Sequence, residues 1–141
     1  MSERIGKLIS ILHRKSQIYL NKELKKYNVV ASEVPILLAL YKKDGMTQDE
    51  LSVHAALDKS AVTRIIQSLL RKNYIIKVKV QDDLRYNRIY MTPKGFLLKE
   101  PLEKVLDAWH HDLMNGIEPS KQNEVLYILG QLVENTKGAL H

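Results

Sequence analysis

The sequence contains no cysteine. That absence excludes disulfides, cysteine-based zinc sites, thiol nucleophiles and thiol redox switches, and with them peroxide sensing through a thiol. It fits a reducing compartment. No apolar run approaches the ~18 residues that a membrane span needs. The opening residues MSERIGKLIS carry Glu3, Arg4 and Lys7 and lack the apolar block of a signal peptide, so the expected location is cytoplasmic, with no membrane partner. Glycine and proline are few, six and four, and scattered, which excludes collagen-like and linker compositions. No internal repeat or low-complexity stretch is visible, and there is no Gly-rich loop of the kind that cradles phosphate. The histidines His13, His54, His110, His111 and His141 form no nucleophile, base and orienter pattern. The pair His110-His111, followed by Asp112, invites a metal reading. Adjacent residues on a helix point about 100° apart, however, and i, i+4 is the spacing that serves one ion. The expectation is therefore no enzyme, no cofactor and no metal.

What is present is a chain of 141 residues, 45% hydrophobic, enough to build a core in one domain spanning 1–141. The net charge is +6, and its distribution says more than its size. Between 59 and 94 stand Lys59, Arg64, Arg71, Lys72, Lys77, Lys79, Arg85, Arg88 and Lys94 against only Asp82 and Asp83. This quarter of the chain holds all of the excess positive charge. Spread evenly, +6 would describe an ordinary solvated surface; concentrated in this way it points to a polyanion partner.

Hydrophobic spacing predicts a long helix over 3–27, from Ile5, Leu8, Ile9, Leu12, Tyr19, Leu20, Leu24 and Tyr27. Ser32 is the expected cap of a second helix over about 33–43, with Pro35 in its first turn. Thr47-Gln48-Asp49-Glu50 reads as a capping box opening a short helix, 48–54. Asp58 caps the next, 59–72, and Asn73 is placed to end it in the left-handed conformation. The period then changes to that of strands, and 74–91 reads as a two-stranded hairpin turning at Gln81-Asp82-Asp83. Thr92-Pro93 opens another helix, which Pro101 is expected to kink or split. Asn115-Gly116 ends it, and Glu118-Pro119 opens the last.

Two helices joined by a tight turn and followed by a basic hairpin form a winged helix-turn-helix, a mainly α fold with a small β component (α+β). On a helical wheel Val62, Ile65, Ile66 and Leu69 form one face of the 59–72 helix. Ser60, Arg64, Gln67 and Arg71 form the opposite one, with Thr63 on its flank. Arginine can donate two bonds to guanine, glutamine can pair with adenine, and Ser or Thr reaches phosphate or base. Lys59, Ser60, Thr63, Arg64, Gln67 and Arg71 on this helix, with Lys77, Asp83, Arg85 and Arg88 of the hairpin, are the candidate residues for binding double-stranded DNA, Asp83 not by touching phosphate but by holding a basic side chain such as Arg85 in orientation. A winged helix that binds a protein or RNA without operator recognition is the alternative.

Asp83-Leu84-Arg85, five residues, then Met91-Thr92-Pro93-Lys94-Gly95 resembles the wing signature of the MarR-type transcriptional regulators. Leu57-Asp58-Lys59-Ser60-Ala61-Val62-Thr63-Arg64 resembles the start of that family's recognition helix, and Leu70-Arg71-Lys72-Asn73-Tyr74-Ile75 its exit. Met91 and Asn73 stand where Leu and Gly are commoner. The resemblance implies a sequence-specific regulator, a ligand-responsive repressor, acting as a homodimer on a pseudo-palindromic operator. Residues 32–95 would be the DNA-binding part, and 1–28 and 96–141 the dimerisation helices. It places Arg85 in the minor groove, where A·T tracts concentrate negative potential. It also implies a small aromatic or anionic effector in a crevice that His13, Tyr19, Tyr41, Trp109 and His110 would line. Each of these five is equally open to a core or interface role.

Overall fold

A computed structural model describes residues 4–80 and 86–137. The chain runs through α1 (Ile5–Glu23), two 3-10 turns (Lys25–Tyr27 and Ala31–Glu33), α2 (Val34–Lys42), β1 (Met46–Thr47), α3 (Gln48–Ala55) and α4 (Lys59–Arg71). It continues through β2 (Ile75–Val78), β3 (Arg88–Met91), α5 (Pro93–Met114) and α6 (Pro119–Thr136). This is the mainly α winged helix expected from the sequence. Two compact units divide it, Met1–Leu106 and Asp107–His141, and the boundary falls inside α5. The winged-helix part expected over 32–95 lies wholly in the first unit, which also takes in α1 and the start of α5.

The first unit is built around α2, whose Val34, Ile36, Leu37, Ala39 and Leu40 are all buried. A helix so apolar is stable only when other elements cover it. Leu24, Leu51, Ile66, Leu69, Ile89 and Leu102 join it in one cluster and are fully enclosed. Each such side chain contributes about 1.5–3 kcal/mol of burial. The sheet is antiparallel in the order β1-β3-β2, with Met46 opposite Ile89 and Ile75 opposite Met91. The strand β1 is an addition to the expected hairpin. Gly45, at φ 80, turns the chain onto β3. There its N–H donates to the Ile89 carbonyl at 2.9 Å and its own carbonyl accepts from the Arg88 guanidinium at 2.8 Å.

Four local expectations need correction. The first helix stops at Glu23 rather than 27, because Lys25–Tyr27 tightens into a 3-10 turn that Asn28 ends at φ 58. Ser32 is exposed and does not cap α2; Glu33 reaches back instead, and its carboxylate accepts from the Val30 N–H at 2.9 Å. Only half of the Thr47 box forms. The Thr47 hydroxyl accepts from the Glu50 N–H at 3.1 Å, while the Glu50 carboxylate lies 3.9 Å from Lys43 and from Arg88. Finally, α5 is not split at Pro101, since one helix, Pro93–Met114, runs through it. Leu98 and Leu102 on either side are buried in the core and hold the helix across the hydrogen bond that proline cannot make.

In the second unit the end of α5 turns into α6 at Gly116, φ 82, where the Gln122 amide donates to the Ile117 carbonyl at 2.7 Å. No residue of α6 is buried; Leu126, Tyr127, Ile128, Leu129 and Val133 are all exposed. In the first unit Ile5, Leu8, Ile9 and Leu12 of α1 are likewise exposed. Among the described residues no helix is long and apolar enough to cross a membrane.

Candidate nucleic-acid interface

The turn between α3 and α4 is fixed by its own backbone. Ala56 adopts the left-handed conformation at φ 53, unusual for a residue with a Cβ and costing about 1–2 kcal/mol. The Leu57 N–H donates to the Ser52 carbonyl at 3.1 Å, and the Ser52 hydroxyl donates to the Leu57 carbonyl. Asp58 then caps α4, accepting from the Ala61 N–H and the Ser60 hydroxyl, both at 2.7 Å. These bonds, the Ser60 hydroxyl first and the Ala61 N–H next, hold its carboxyl below the ordinary aspartate range.

Val62, Ile65, Ile66 and Leu69 of α4 are buried. Lys59, Ser60, Thr63, Arg64, Gln67 and Arg71 are all exposed, so these six candidates share one helix surface. The Thr63 hydroxyl donates to the Lys59 carbonyl at 3.0 Å and accepts from the Gln48 amide at 3.3 Å, which links the surface to α3. Lys77 is exposed on β2. Arg88 is half-buried on β3, with its guanidinium on the Gly45 carbonyl. Asp83 and Arg85 lie outside the described residues.

The base of the wing explains Thr92 and Gly95. The Thr92 hydroxyl donates to the Asn73 carbonyl at 2.7 Å and accepts from the Gly95 N–H at 3.0 Å, while its own N–H donates to the Tyr74 carbonyl at 3.1 Å. A Cβ on Gly95 would collide with that same carbonyl and with the Met91 sulfur. Asn73 ends α4 at φ 64. Lys94 spans the junction, its ammonium donating to the Lys72 carbonyl at 2.8 Å and lying 4.5 Å from the Tyr74 ring centroid.

One buried group has no signature in the sequence. The Glu33 carboxylate is 1% exposed and receives the Ser68 hydroxyl at 2.7 Å and the Lys72 ammonium at 2.8 and 2.9 Å. No local pattern announces a pairing across more than thirty residues. Burial, and next the negative charge of Glu33, raise the Tyr74 phenol.

A cavity of about 490 Å³ opens between α1, the start of α2 and α4, with His13, Gln17, Leu20, Glu33, Arg64 and Ser68 in its wall. Of the five candidate effector residues, His13 lines it. Tyr19 and Tyr41, in the same unit, are not in its wall. The Tyr19 hydroxyl donates to the Val105 carbonyl at 3.3 Å and that of Tyr41 to the Gly95 carbonyl at 2.6 Å. Burial raises the Tyr41 phenol well above its usual range. Trp109 and His110 belong to the second unit. Among the described residues no three His, Asp or Glu side chains gather as a metal would need.

Residues 28–85 match the MarR family model. A MarR transcriptional regulator from Methanosarcina mazei Go1, known from its crystal structure, is 31% identical, with a TM-score of 0.91 over 96% of this chain and 98% of that one. The HTH-type transcriptional regulator BilQ of Clostridioides difficile (strain CD3) is 22% identical over 98% of this chain and 93% of its own length. The multiple antibiotic resistance protein MarR of Salmonella typhimurium is 23% identical over 92% of this chain and 90% of its own.

Proposed function

Because the chain belongs to the MarR family of transcriptional regulators, which bind DNA and are not enzymes, we propose that it is a homodimeric, ligand-responsive repressor reading a pseudo-palindromic operator with α4. The observation that carries this is the division of α4 into a buried apolar side and an exposed side bearing Ser60, Thr63, Arg64, Gln67 and Arg71. The core holds one side still while the other is offered to a major groove, whose donor and acceptor pattern Arg and Gln can read. Lys77 and Arg85 add phosphate and minor-groove contacts from the wing. Two-fold symmetry of the protein sets the symmetry of the site, with half-sites about 10 bp apart.

The exposed apolar residues of α1 and α6 support a dimer, since patches of this kind are seldom left to water. The cavity supports ligand response. Its wall is apolar at Leu20 and Ile65 and cationic at Arg64, which suits a small anionic or aromatic compound. Such a ligand and an operator would both draw on Arg64.

The test is selection from a pool of randomised duplexes, followed by salt titration on the enriched sequence and on random DNA. An inverted repeat bound at least about 10³-fold more tightly than random DNA, with affinity falling steeply in salt, is expected. Equal affinity for both DNAs would overturn operator reading and leave a winged helix that binds a protein or RNA.

A further inference from the structure

We infer that Glu33 is a positioning residue for DNA reading. It clamps α4 at Ser68 and Lys72, and so sets the angle and depth at which Arg64, Gln67 and Arg71 are presented. The inference rests on α4 being the reading helix.

A carboxylate 1% exposed is costly unless every lone pair finds a donor. Here Oε1 accepts from the Val30 N–H and the Lys72 ammonium, and Oε2 from the Ser68 hydroxyl and the same ammonium. Val30 and Glu33 lie at the entrance to α2, whose five buried residues anchor it in the core. The carboxylate therefore belongs to the scaffold. Ser68 on α4 and Lys72, the residue that caps its C-terminus, stand one turn apart, in a row with Arg64 one turn earlier. One rigid planar group thus grips α4 at two heights.

The apolar side of α4 cannot do this alone. Contacts of Val62, Ile65, Ile66 and Leu69 are non-directional, and apolar cores tolerate repacking with small shifts. A shift of α4 by about 1 Å, small enough for the apolar side to absorb, would stretch the clamp bonds beyond hydrogen-bonding distance. Base recognition needs side chains placed to about 0.5 Å. Stability does not account for the group either, because a buried ion pair is commonly replaceable by apolar residues at no loss. Direction is what the carboxylate supplies and a leucine would not.

The experiment compares Glu33→Gln, Ser68→Ala and Arg64→Ala with the wild-type chain. The probes are one fluorescent duplex selected by the wild type and one random duplex of equal length, and thermal melts check folding. Glu33→Gln should keep a cooperative melt and bind random DNA within about twofold. Its affinity for the selected duplex should fall by roughly tenfold, near the loss of one bidentate base contact. Ser68→Ala, which leaves all charges in place, should lower the ratio of the two affinities by about threefold. If Glu33→Gln does not fold, Ser68→Ala decides, and an unchanged ratio there overturns the inference. A loss shared equally by both duplexes overturns it as well, since that is what a purely structural role predicts. A ratio lost in Arg64→Ala but kept in both clamp variants overturns the role of Glu33 alone. A ratio unchanged in Arg64→Ala overturns base reading by α4, and the positioning role with it.

Discussion

At the scale of single residues the wing base and the α4 cap carry the sharpest consequences. Gly95 sits in the first turn of α5, where any Cβ would strike the Tyr74 carbonyl. Gly95→Ala must displace the Tyr74 carbonyl, at the entrance to β2, and it should lower stability by about 1–3 kcal/mol, as overpacking does. Urea denaturation with an unchanged slope would register this as a shifted midpoint. Asp58 acts through its charge state. Its folded carboxyl lies below the ordinary aspartate value of 3.8, so folding favours the ionised form. That contribution is complete above about pH 4–5 and fades as pH falls through the folded pKa. Asp58→Ala should therefore be less stable than wild type at pH 7, and the gap should close in acid. Paired urea titrations from pH 7 to pH 3 check the sign: a gap that widened in acid would mean the carboxyl is not held in its ionised form. Residues of this kind were legible only when their partners were near. Asp58, Asn73 and Thr92 announced their roles because each bonds within a few residues. Glu33 did not, because Ser68 and Lys72 reach it only once α2 and α4 have packed.

At the scale of elements, α4 was legible down to which face is buried, because a 3.6-residue period against a single core leaves one solution. The strands β2 and β3 were legible as a hairpin, but alternation did not give the buried face of β2, where Ile75 is buried and Ile76 and Val78 are exposed. β1 was not: two residues carry no period, and Met46–Thr47 is a strand only by virtue of Ile89 and Arg88 opposite. The helix and the wing should also differ in how they hold DNA. On the proposed docking, Arg64, exposed in the first half of α4, is placed for base edges, and Lys77, exposed on β2, for phosphates. Arg64→Ala should cost about 1–3 kcal/mol on a selected operator and flatten its sequence preference. Lys77→Ala should weaken selected and random duplexes about equally, and should reduce the slope of log affinity against log salt by about 1.8 for two subunits. Fluorescence anisotropy on both duplexes at several salt concentrations separates these outcomes, and identical behaviour of the two variants would reverse the assignment of helix to groove.

At the scale of the whole molecule, the apolar residues left uncovered on α1 and α6 are the largest departure from what a lone chain needs. A dimer at micromolar concentration with no stable monomer is expected. Leu129→Glu, placing a charge on the exposed apolar side of α6, should weaken the dimer and, with no stable monomer to fall back on, lower the melting temperature as well as the light-scattering mass; a wild-type protein that scattered as a monomer throughout would sink the proposal. The link between Gly45-Met46 and β3 has a further consequence, in the time the chain takes to assemble. The hairpin of β2 and β3 closes a short loop and can form early. The contact of β1 with β3 encloses all of α3, α4 and β2, so its loop-closure entropy is larger, and it is regained only when those helices are in place. On this ground β1 should be the last strand to dock and the first to let go. Opening at Gly45 would take the carbonyl acceptor from the Arg88 guanidinium and leave it the Glu50 carboxylate, 3.9 Å away, so the β1 edge should loosen with the charge of Arg88 still balanced.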